Sequence, residues 1–271
     1  MRHWLRKFAS DSKGVSPVTK KFHFVAGLPR AGTTVLSAVL NQNPRFEAVI
    51  SNPLCDFVKA IVQASCVQGG YKTIVPEEKR KALILNLFDT FHDGTAEVFF
   101  NTNRDWPLLA DMIADLLPDA RIVCCVRPIP WVLDSFERLL RAQPYSLSRL
   151  FPEGTDRDVY ARCDYLMSDD GPVGKSVRAL NQGLAAGERG RILLVDYEEF
   201  CKHPGETTAR LYAFLGEPYF EHDFGSVGVS YDDYDDDMNV KNLHTTRKKV
   251  EWIERKTILP QDIWDRFSQP S

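Results

Sequence analysis

The sequence lacks several features that would assign it at once to a large class of proteins. It has no run of about 18 apolar residues, so we expect no membrane-spanning helix and no membrane partner. Its 34 basic and 37 acidic residues give no excess of positive charge, and nonspecific nucleic-acid binding is not predicted. Its six cysteines include no C-x-x-C pair, which favours buried, reduced thiols in a cytoplasmic protein.

The N-terminal stretch is basic but lacks the apolar segment of a secretory signal. We therefore expect residues 1–21 to form a loose or partly helical arm. The remaining residues, 22–271, have a length that is ordinary for one α/β domain. The sequence thus predicts an arm followed by a single domain.

Short apolar runs bounded by turn residues predict buried parallel strands, separated by segments of helical periodicity. The predicted strands are 22–26, 46–50, 97–100, 121–126 and 191–195. The predicted helices are 33–40, 55–66, 77–91, 108–117, 131–141, 175–186 and 207–215. This alternation indicates an α/β, P-loop-type three-layer fold, with a central parallel sheet of about five strands flanked by helices. Ligands of such folds bind beyond the carboxyl ends of the strands.

Two segments do not follow this alternation. Residues 144–174 are polar with little periodicity, which predicts an inserted lid or a substrate loop. Residues 231–239, YDDYDDDMN, predict a solvated acidic loop, with repulsion or selection of a charged substrate as the alternative.

The loop after the first predicted strand has the glycine spacing of a phosphate-binding loop. In GLPRAGTT, Gly27 and Gly32 fit G-x-x-x-x-G, but Thr33 and Thr34 follow where the motif requires lysine and then serine or threonine. Arg30 lies inside the loop and offers a planar fork of donors to phosphate or sulfate oxygens. The strand, loop and helix start together predict an anion site.

A second site is indicated after the fourth predicted strand. Arg127 follows the strand directly, Pro128 and Pro130 turn the chain, and Ser135 falls in the first turns of the next helix. This spacing fits a clasp for a second phosphate. It also fits a surface salt bridge beside an ordinary helix serine, and the spacing alone leaves both readings open.

These motifs resemble those of sulfotransferases that use 3′-phosphoadenylyl sulfate (PAPS). GLPRAGTT looks like their 5′-phosphosulfate loop, and VCCVRPIPWVLDS like their 3′-phosphate motif. LLVDYEEFCKHP is similar to a strand and loop of the tyrosylprotein branch, with Tyr197 at a position that contacts the nucleotide. FFNTNRDW, LHTTR and TILPQDIW resemble bacterial protein-tyrosine sulfotransferases, so the resemblance extends over roughly 22–267.

The resemblance implies PAPS as the donor and adenosine 3′,5′-bisphosphate (PAP) as the product, with no metal required. This accounts for the missing lysine, because PAPS has no β- or γ-phosphate for that lysine to reach. The residues implied in nucleotide binding are Gly27, Pro29, Arg30, Ala31, Gly32, Thr33, Thr34, Arg127, Ser135, Tyr197, Arg247 and Lys248.

The resemblance also implies catalytic groups. Arg30 and a second cation would stabilise charge on the transferred group. Arg104 is our candidate for that cation, as a spatial replacement for a lysine of the animal tyrosylprotein enzymes, whose directly matching position holds Thr102. The glutamate base of those enzymes corresponds to Ser51, and His244 in LHTTR is the best histidine candidate for the base. Other carboxylates near strand ends are Glu47, Asp56 and Asp105.

The acceptor predicted from the resemblance is a tyrosine in a protein or peptide, with a small phenolic or sugar hydroxyl as the alternative. A cytoplasmic enzyme and a possible homodimer are expected on the same basis. Two other hypotheses remain: a P-loop NTPase or kinase, in which Asp196 ends RILLVD like a metal-binding strand, and a noncatalytic binding protein that kept the fold.

Overall fold

The protein is described by a computed structural model that covers residues 20–50, 52–66, 74–92, 94–145, 148–156, 158–186, 189–229 and 232–268. Its centre is a five-stranded parallel sheet with the strand order β2-β3-β1-β4-β5. The strands are β1 Lys21–Gly27, β2 Phe46–Val49, β3 Val98–Thr102, β4 Ile122–Val126 and β5 Ile192–Asp196. The predicted α/β fold with a parallel sheet is confirmed, and each predicted strand lies within two residues of its observed bounds.

Helices cover both faces of this sheet, which is why its strands are apolar on both sides. Within the described residues they are α1 Thr33–Leu40, α2 Leu54–Cys66, α3 Glu77–Phe91, α4 Ala110–Leu116, α5 Ile129–Arg141, α6 Val159–Met167, α7 Pro172–Ala185, α8 Tyr197–Lys202, α9 Pro204–Leu215, α10 Asp232–Asp237 and α11 Gln261–Ser268. The alternation of side chains along β4 sends Cys124 into one hydrophobic cluster and Cys125 into the other. None of the described helices is long and apolar enough to cross a membrane.

Three predicted segments differ from the structure. The segment 144–174 contains α6 and the start of α7, which its weak periodicity did not predict. The acidic run contains the short helix α10, and Asp235 within it is 2% exposed, so the prediction of a solvated loop is wrong there. The predicted helix at 108–117 is preceded by a 3₁₀ turn, Trp106–Leu109, where Pro107 lacks the N–H of a continuous helix.

The sheet topology determines where a ligand can bind. The chain places β3 on one side of β1 and β4 on the other, so the strand order reverses at β1 and leaves a crevice beyond the carboxyl ends. Gly27 ends β1 with φ of 113°, and a Cβ there would lie 2.1 Å from the Cys125 carbonyl oxygen. Only glycine fits this close approach between the loop after β1 and strand β4.

Candidate active site

A cavity of about 200 Å³ lies beyond the carboxyl ends of β1 and β4. Its lining comes from the loop after β1, the segment after β3, the β4–α5 connection, the start of α8 and the chain from 243 to 255. The predicted site residues that line it are Pro29, Arg30, Gly32, Thr33, Thr34, Arg104, Arg127, Ser135, Tyr197, His244 and Arg247. The structure therefore brings together groups that the sequence placed in five separate motifs.

Four predicted residues are not in this lining. Gly27 packs against β4, and Ala31 is a buried core residue that is 1% exposed. Lys248 does not line the cavity, whereas its neighbour Lys249 does. Ser51 lies outside the described residues.

The start of α1 presents backbone donors to the cavity. Gly32 caps the helix in the left-handed region, with φ of 96°, and no side chain accepts the first N–H groups. No acidic residue lies in the first turn of the helix. The helix N-terminus therefore keeps its positive dipole end and its donors for an anion.

Gly32 also determines how closely the loop approaches α8. A Cβ at this position would lie 2.7 Å from Cδ2 of Tyr197, closer than van der Waals contact allows. The Tyr197 ring in turn lies under the Arg127 guanidinium, whose Cζ is 4.5 Å from the ring centroid. The loop, the aromatic ring and the arginine thus form one packed unit.

Two half-buried arginines of the cavity lining are linked to each other and to their surroundings by hydrogen bonds. The Arg30 Nε donates to Ser135 Oγ at 3.2 Å, and its Nη1 donates to the Leu243 carbonyl. Arg127 Nη1 donates to the Arg30 carbonyl at 3.2 Å. Ser135, predicted to hold one phosphate, therefore lies within hydrogen-bond distance of Arg30, predicted to hold the other.

Neither arginine has a carboxylate partner among the described residues. Burial lowers the pKa of Arg30 to about 10 and also lowers the pKa of Arg127. Arg127 Nε is buried and has no hydrogen-bond partner in the described part of the chain. Buried cationic donors that lack partners are costly unless an anion binds to them.

The chain from 243 to 255, which we call the C-terminal wall, contributes a continuous part of the cavity lining. A fully buried carboxylate, Asp134 on α5, holds this wall in place. It accepts hydrogen bonds from the backbone N–H of Ile258 and the side chain of Arg138, both at 2.8 Å, and lies 3.0 Å from Arg255. Sequence reasoning missed Asp134 and Arg255, because a carboxylate inside an amphipathic helix gives no sign that it is buried.

The C-terminal wall also carries the histidine candidate for the base. His244 Nδ1 lies 2.8 Å from Oδ1 of the buried Asp235. Burial lowers the pKa of His244, and the charges of Arg104 and Arg30 lower it further, while Asp235 acts in the opposite direction. The ring is therefore neutral at neutral pH, and Arg104 is close enough to act on it electrostatically.

Two carboxylates considered from the sequence are already engaged. Asp56 and Asp105 both pair with Lys59, at 2.8 Å and 2.5 Å. Asp196, considered as a metal partner, instead caps α8 by accepting a hydrogen bond from the Glu199 N–H at 2.9 Å. Among the described residues, no group of three or more histidine, cysteine, aspartate or glutamate side chains is placed to hold a metal ion.

The chain is similar to proteins of known family and to several solved structures. The profile described as the sulfotransferase family matches residues 23–221. No curated protein matches the chain. The sulfotransferase domain from the curacin biosynthetic pathway is similar, with a TM-score of 0.55 and 14% identity over 94% of this chain and 99% of that one.

Two further solved structures resemble the chain over most of its length. The sulfotransferase domain of the Synechococcus PCC 7002 olefin synthase has a TM-score of 0.53 and 16% identity, over 93% of this chain and 96% of that one. Retinol dehydratase in complex with androsterone and the inactive cofactor PAP has a TM-score of 0.54 and 16% identity, over 98% of this chain and 83% of that one. At these identities the similarity establishes the fold.

Proposed function

This chain belongs to the sulfotransferase family, and we propose that it transfers the sulfuryl group of PAPS to an acceptor hydroxyl, leaving PAP. The observation that carries the proposal is the pair of half-buried arginines, Arg30 and Arg127, in one cavity with the N-terminus of α1. A cavity with this concentration of donors, in which no described carboxylate pairs with either arginine, suits a ligand with several anionic groups.

The residues present fit the donor. Backbone N–H groups at Thr33 and Thr34, together with Arg30, would hold the 5′-phosphosulfate end. Arg127 and Ser135 would hold the 3′-phosphate, which would supply the missing partner of Arg127 Nε. Tyr197 would contact the nucleotide body. Further predicted contacts are Gly27, Pro29, Ala31, Gly32, Arg247 and Lys248.

When bound, the donor supplies a sulfuryl group on an anhydride with a good leaving phosphate. The acceptor oxygen would form a bond to this sulfur while the sulfur–oxygen bond to the phosphate breaks, and the electron pair would stay on the phosphate oxygen. Arg30 and Arg104 would stabilise the charge that develops during this exchange. The acceptor proton requires a base, for which His244 and Ser51 are the candidates from the sequence.

For the acceptor we propose a tyrosine in a protein or peptide. The segments FFNTNRDW, LHTTR and TILPQDIW support it through their resemblance to the protein-tyrosine branch. A small phenolic or sugar hydroxyl is the alternative, and the androsterone bound in the similar retinol dehydratase structure favours a small molecule. The single domain over 22–271, the cytoplasmic location and the homodimer stay predictions.

A thermal-shift measurement with PAP and with ATP, each with and without magnesium, tests the donor site. A ligand at about 100 times its Kd adds roughly 2.7 kcal/mol, or several degrees in a chain of this size. We expect a metal-independent shift with PAP and little with ATP. A magnesium-dependent shift with ATP alone would contradict the proposal and support the NTPase alternative.

A panel of acceptors with PAPS as donor tests the second half of the proposal. The panel contains N-acetyl-tyrosine amide, a tyrosine peptide with aspartate neighbours, its asparagine counterpart and 4-nitrophenol. Transfer to either peptide at a higher kcat/KM than to 4-nitrophenol would support a protein acceptor. Transfer to 4-nitrophenol alone would favour the small-molecule alternative, and no transfer to any hydroxyl despite PAP binding would support a noncatalytic protein.

A further inference from the structure

The acidic run at 231–239 contains one carboxylate that behaves unlike its neighbours. Asp235 is 2% exposed, whereas Asp236 and Asp237 on the same helix, α10, are exposed. No lysine or arginine among the described residues pairs with Asp235. A buried carboxylate is costly unless hydrogen bonds satisfy it, so the donors to Asp235 are the key to its role.

Among the described residues, the hydrogen bonds that the Asp235 carboxylate accepts come from one residue, His244. The backbone N–H of His244 lies 3.1 Å from Oδ1 and 3.0 Å from Oδ2, and Nδ1 of the same residue lies 2.8 Å from Oδ1. The carboxylate therefore accepts hydrogen bonds from both the backbone and the ring of His244. Together these hydrogen bonds fix the position and the rotation of the imidazole.

The contact also selects the tautomer of the ring. An ionised carboxylate can only accept hydrogen bonds, so Nδ1 must carry a proton. In the neutral ring the lone pair is then on Nε2, which is the nitrogen that can accept a proton. Burial lowers the pKa of His244, and the charges of Arg104 and Arg30 act in the same direction, so the ring is held neutral and its Nε2 lone pair can accept a proton.

The location of His244 connects it to the reacting end of the cavity. Arg30 Nη1 donates to the carbonyl of Leu243, the residue before His244. Arg30 and Arg104 line the same cavity as His244, and both are the cations assigned above to the transferred group. The imidazole therefore belongs to the same cavity lining as the two cations assigned to the transferred group.

We propose, building on the sulfotransferase assignment, that Asp235 is the positioning residue that holds His244 as the base for the acceptor hydroxyl. As the acceptor oxygen bonds to sulfur, its proton moves to Nε2 of His244. The resulting imidazolium is stabilised by the Asp235 carboxylate and releases the proton to solvent after transfer. This arrangement follows the logic of a catalytic triad, in which an acidic residue orients a histidine base.

Asp235→Asn tests the proposal, with Asp236→Asn as its matched control on the exposed side of the same helix. We expect kcat on the best acceptor of the panel to fall on the order of a hundredfold in Asp235→Asn, while PAP affinity stays within about twofold. Asp236→Asn keeps wild-type kcat. Equal kcat in the two variants would overturn the role of Asp235.

A readout independent of activity is the tautomer of His244, measured by ¹⁵N NMR on histidine-labelled protein and assigned with His244→Gln. The chain has six histidines, so the spectrum is tractable. We expect a neutral, Nδ1-protonated ring in the wild type. In Asp235→Asn we expect loss of that single tautomer and a lower pKa, since Asp235 raises it against Arg30 and Arg104. An Nε2-protonated ring in the wild type would refute the proposal.

A double-mutant cycle separates positioning from a merely structural role. If Asp235 acts through His244, then Asp235→Asn lowers kcat by less than twofold in the His244→Gln background. A further loss as large as in the wild-type background would refute the coupling. Failure of the wild-type protein to bind PAP would refute the proposed function, whereas retained PAP binding with unchanged kcat in Asp235→Asn would refute the role of Asp235 alone.

Discussion

The contact between Gly32 and Tyr197 leads to a prediction that can be checked against an internal control. Gly32 and Gly216 both have positive φ, at 96° and 68°, so an alanine at either position adopts a left-handed backbone at a cost of roughly 1–2 kcal/mol. At Gly216, the C-cap of α9, nothing lies within 4 Å of the new Cβ. At Gly32 the Cβ would lie 2.7 Å and 3.2 Å from two carbons of the Tyr197 ring.

The ring cannot simply move aside, because Arg127 lies over its face and Trp252 lies against it, with centroids 6.2 Å apart. Overpacking of this kind costs typically 1–3 kcal/mol. We therefore expect Gly32→Ala to lower the free energy of unfolding by about 1–3 kcal/mol more than Gly216→Ala.

The assay is thermal unfolding of both variants, followed by titration with PAP. The additional loss of unfolding free energy in Gly32→Ala should lower its Tm by at least about 2 °C relative to the Tm of Gly216→Ala. Because displacement of Tyr197 also moves Arg127, PAP should bind Gly32→Ala at least about tenfold more weakly, with Gly216→Ala unchanged. Equal Tm and wild-type PAP affinity in Gly32→Ala would show that the contact does not shape the nucleotide site.

Three further predictions concern Arg127, Arg30 and His23. Arg127→Ala should weaken PAP binding by about 10–100-fold and adenosine 5′-phosphate binding far less, because a charge-assisted hydrogen bond contributes about 1.5–3 kcal/mol; equal weakening of both would remove Arg127 from the 3′-phosphate role. Arg30→Ala should abolish transfer, a loss on the order of a hundredfold or more, with the fold intact by circular dichroism; full activity would contradict the role of Arg30. Burial lowers the pKa of His23 to about 3 and its Nδ1 accepts a hydrogen bond from the Arg121 N–H, so the folded protein holds the ring neutral while the unfolded chain protonates near pH 6.5. The stability that neutral His23 contributes is therefore complete above about pH 6.5 and is lost as the pH falls toward 3, with a loss of roughly 2 kcal/mol at pH 5. Between pH 7 and pH 5, the Tm of His23→Gln should fall less than the Tm of the exposed control His203→Gln. Equal falls in the two variants would contradict this prediction.

The sheet could be predicted from sequence because its signals are local. Each strand is a short apolar run between turn residues, and the alternation of side chains along β4 directs Cys124 and Cys125 into different hydrophobic clusters. The rule that ligands bind beyond the carboxyl ends then placed Arg30, Arg104 and Arg127 at one edge. All three line the same cavity.

The missed parts of the site depend on contacts between distant segments. The run YDDYDDDMN gives no local signal that Asp235 is buried, because the partner that satisfies it, His244, belongs to another segment. The same holds for Asp134, because two of its partners, Arg255 and the Ile258 N–H, lie more than 100 residues further along the chain. Burial of these two carboxylates can be inferred only from their hydrogen-bond partners, and these partners come close to them only in the folded chain.

The attachment of the C-terminal wall to Asp134 has a consequence for how the protein is made. The cavity has one side built from the loop after β1 and the other from residues 243–255. During synthesis the first side leaves the ribosome long before the second, so a growing chain has no closed site. A nucleotide that contacts both sides would favour the last docking step of folding and not the first.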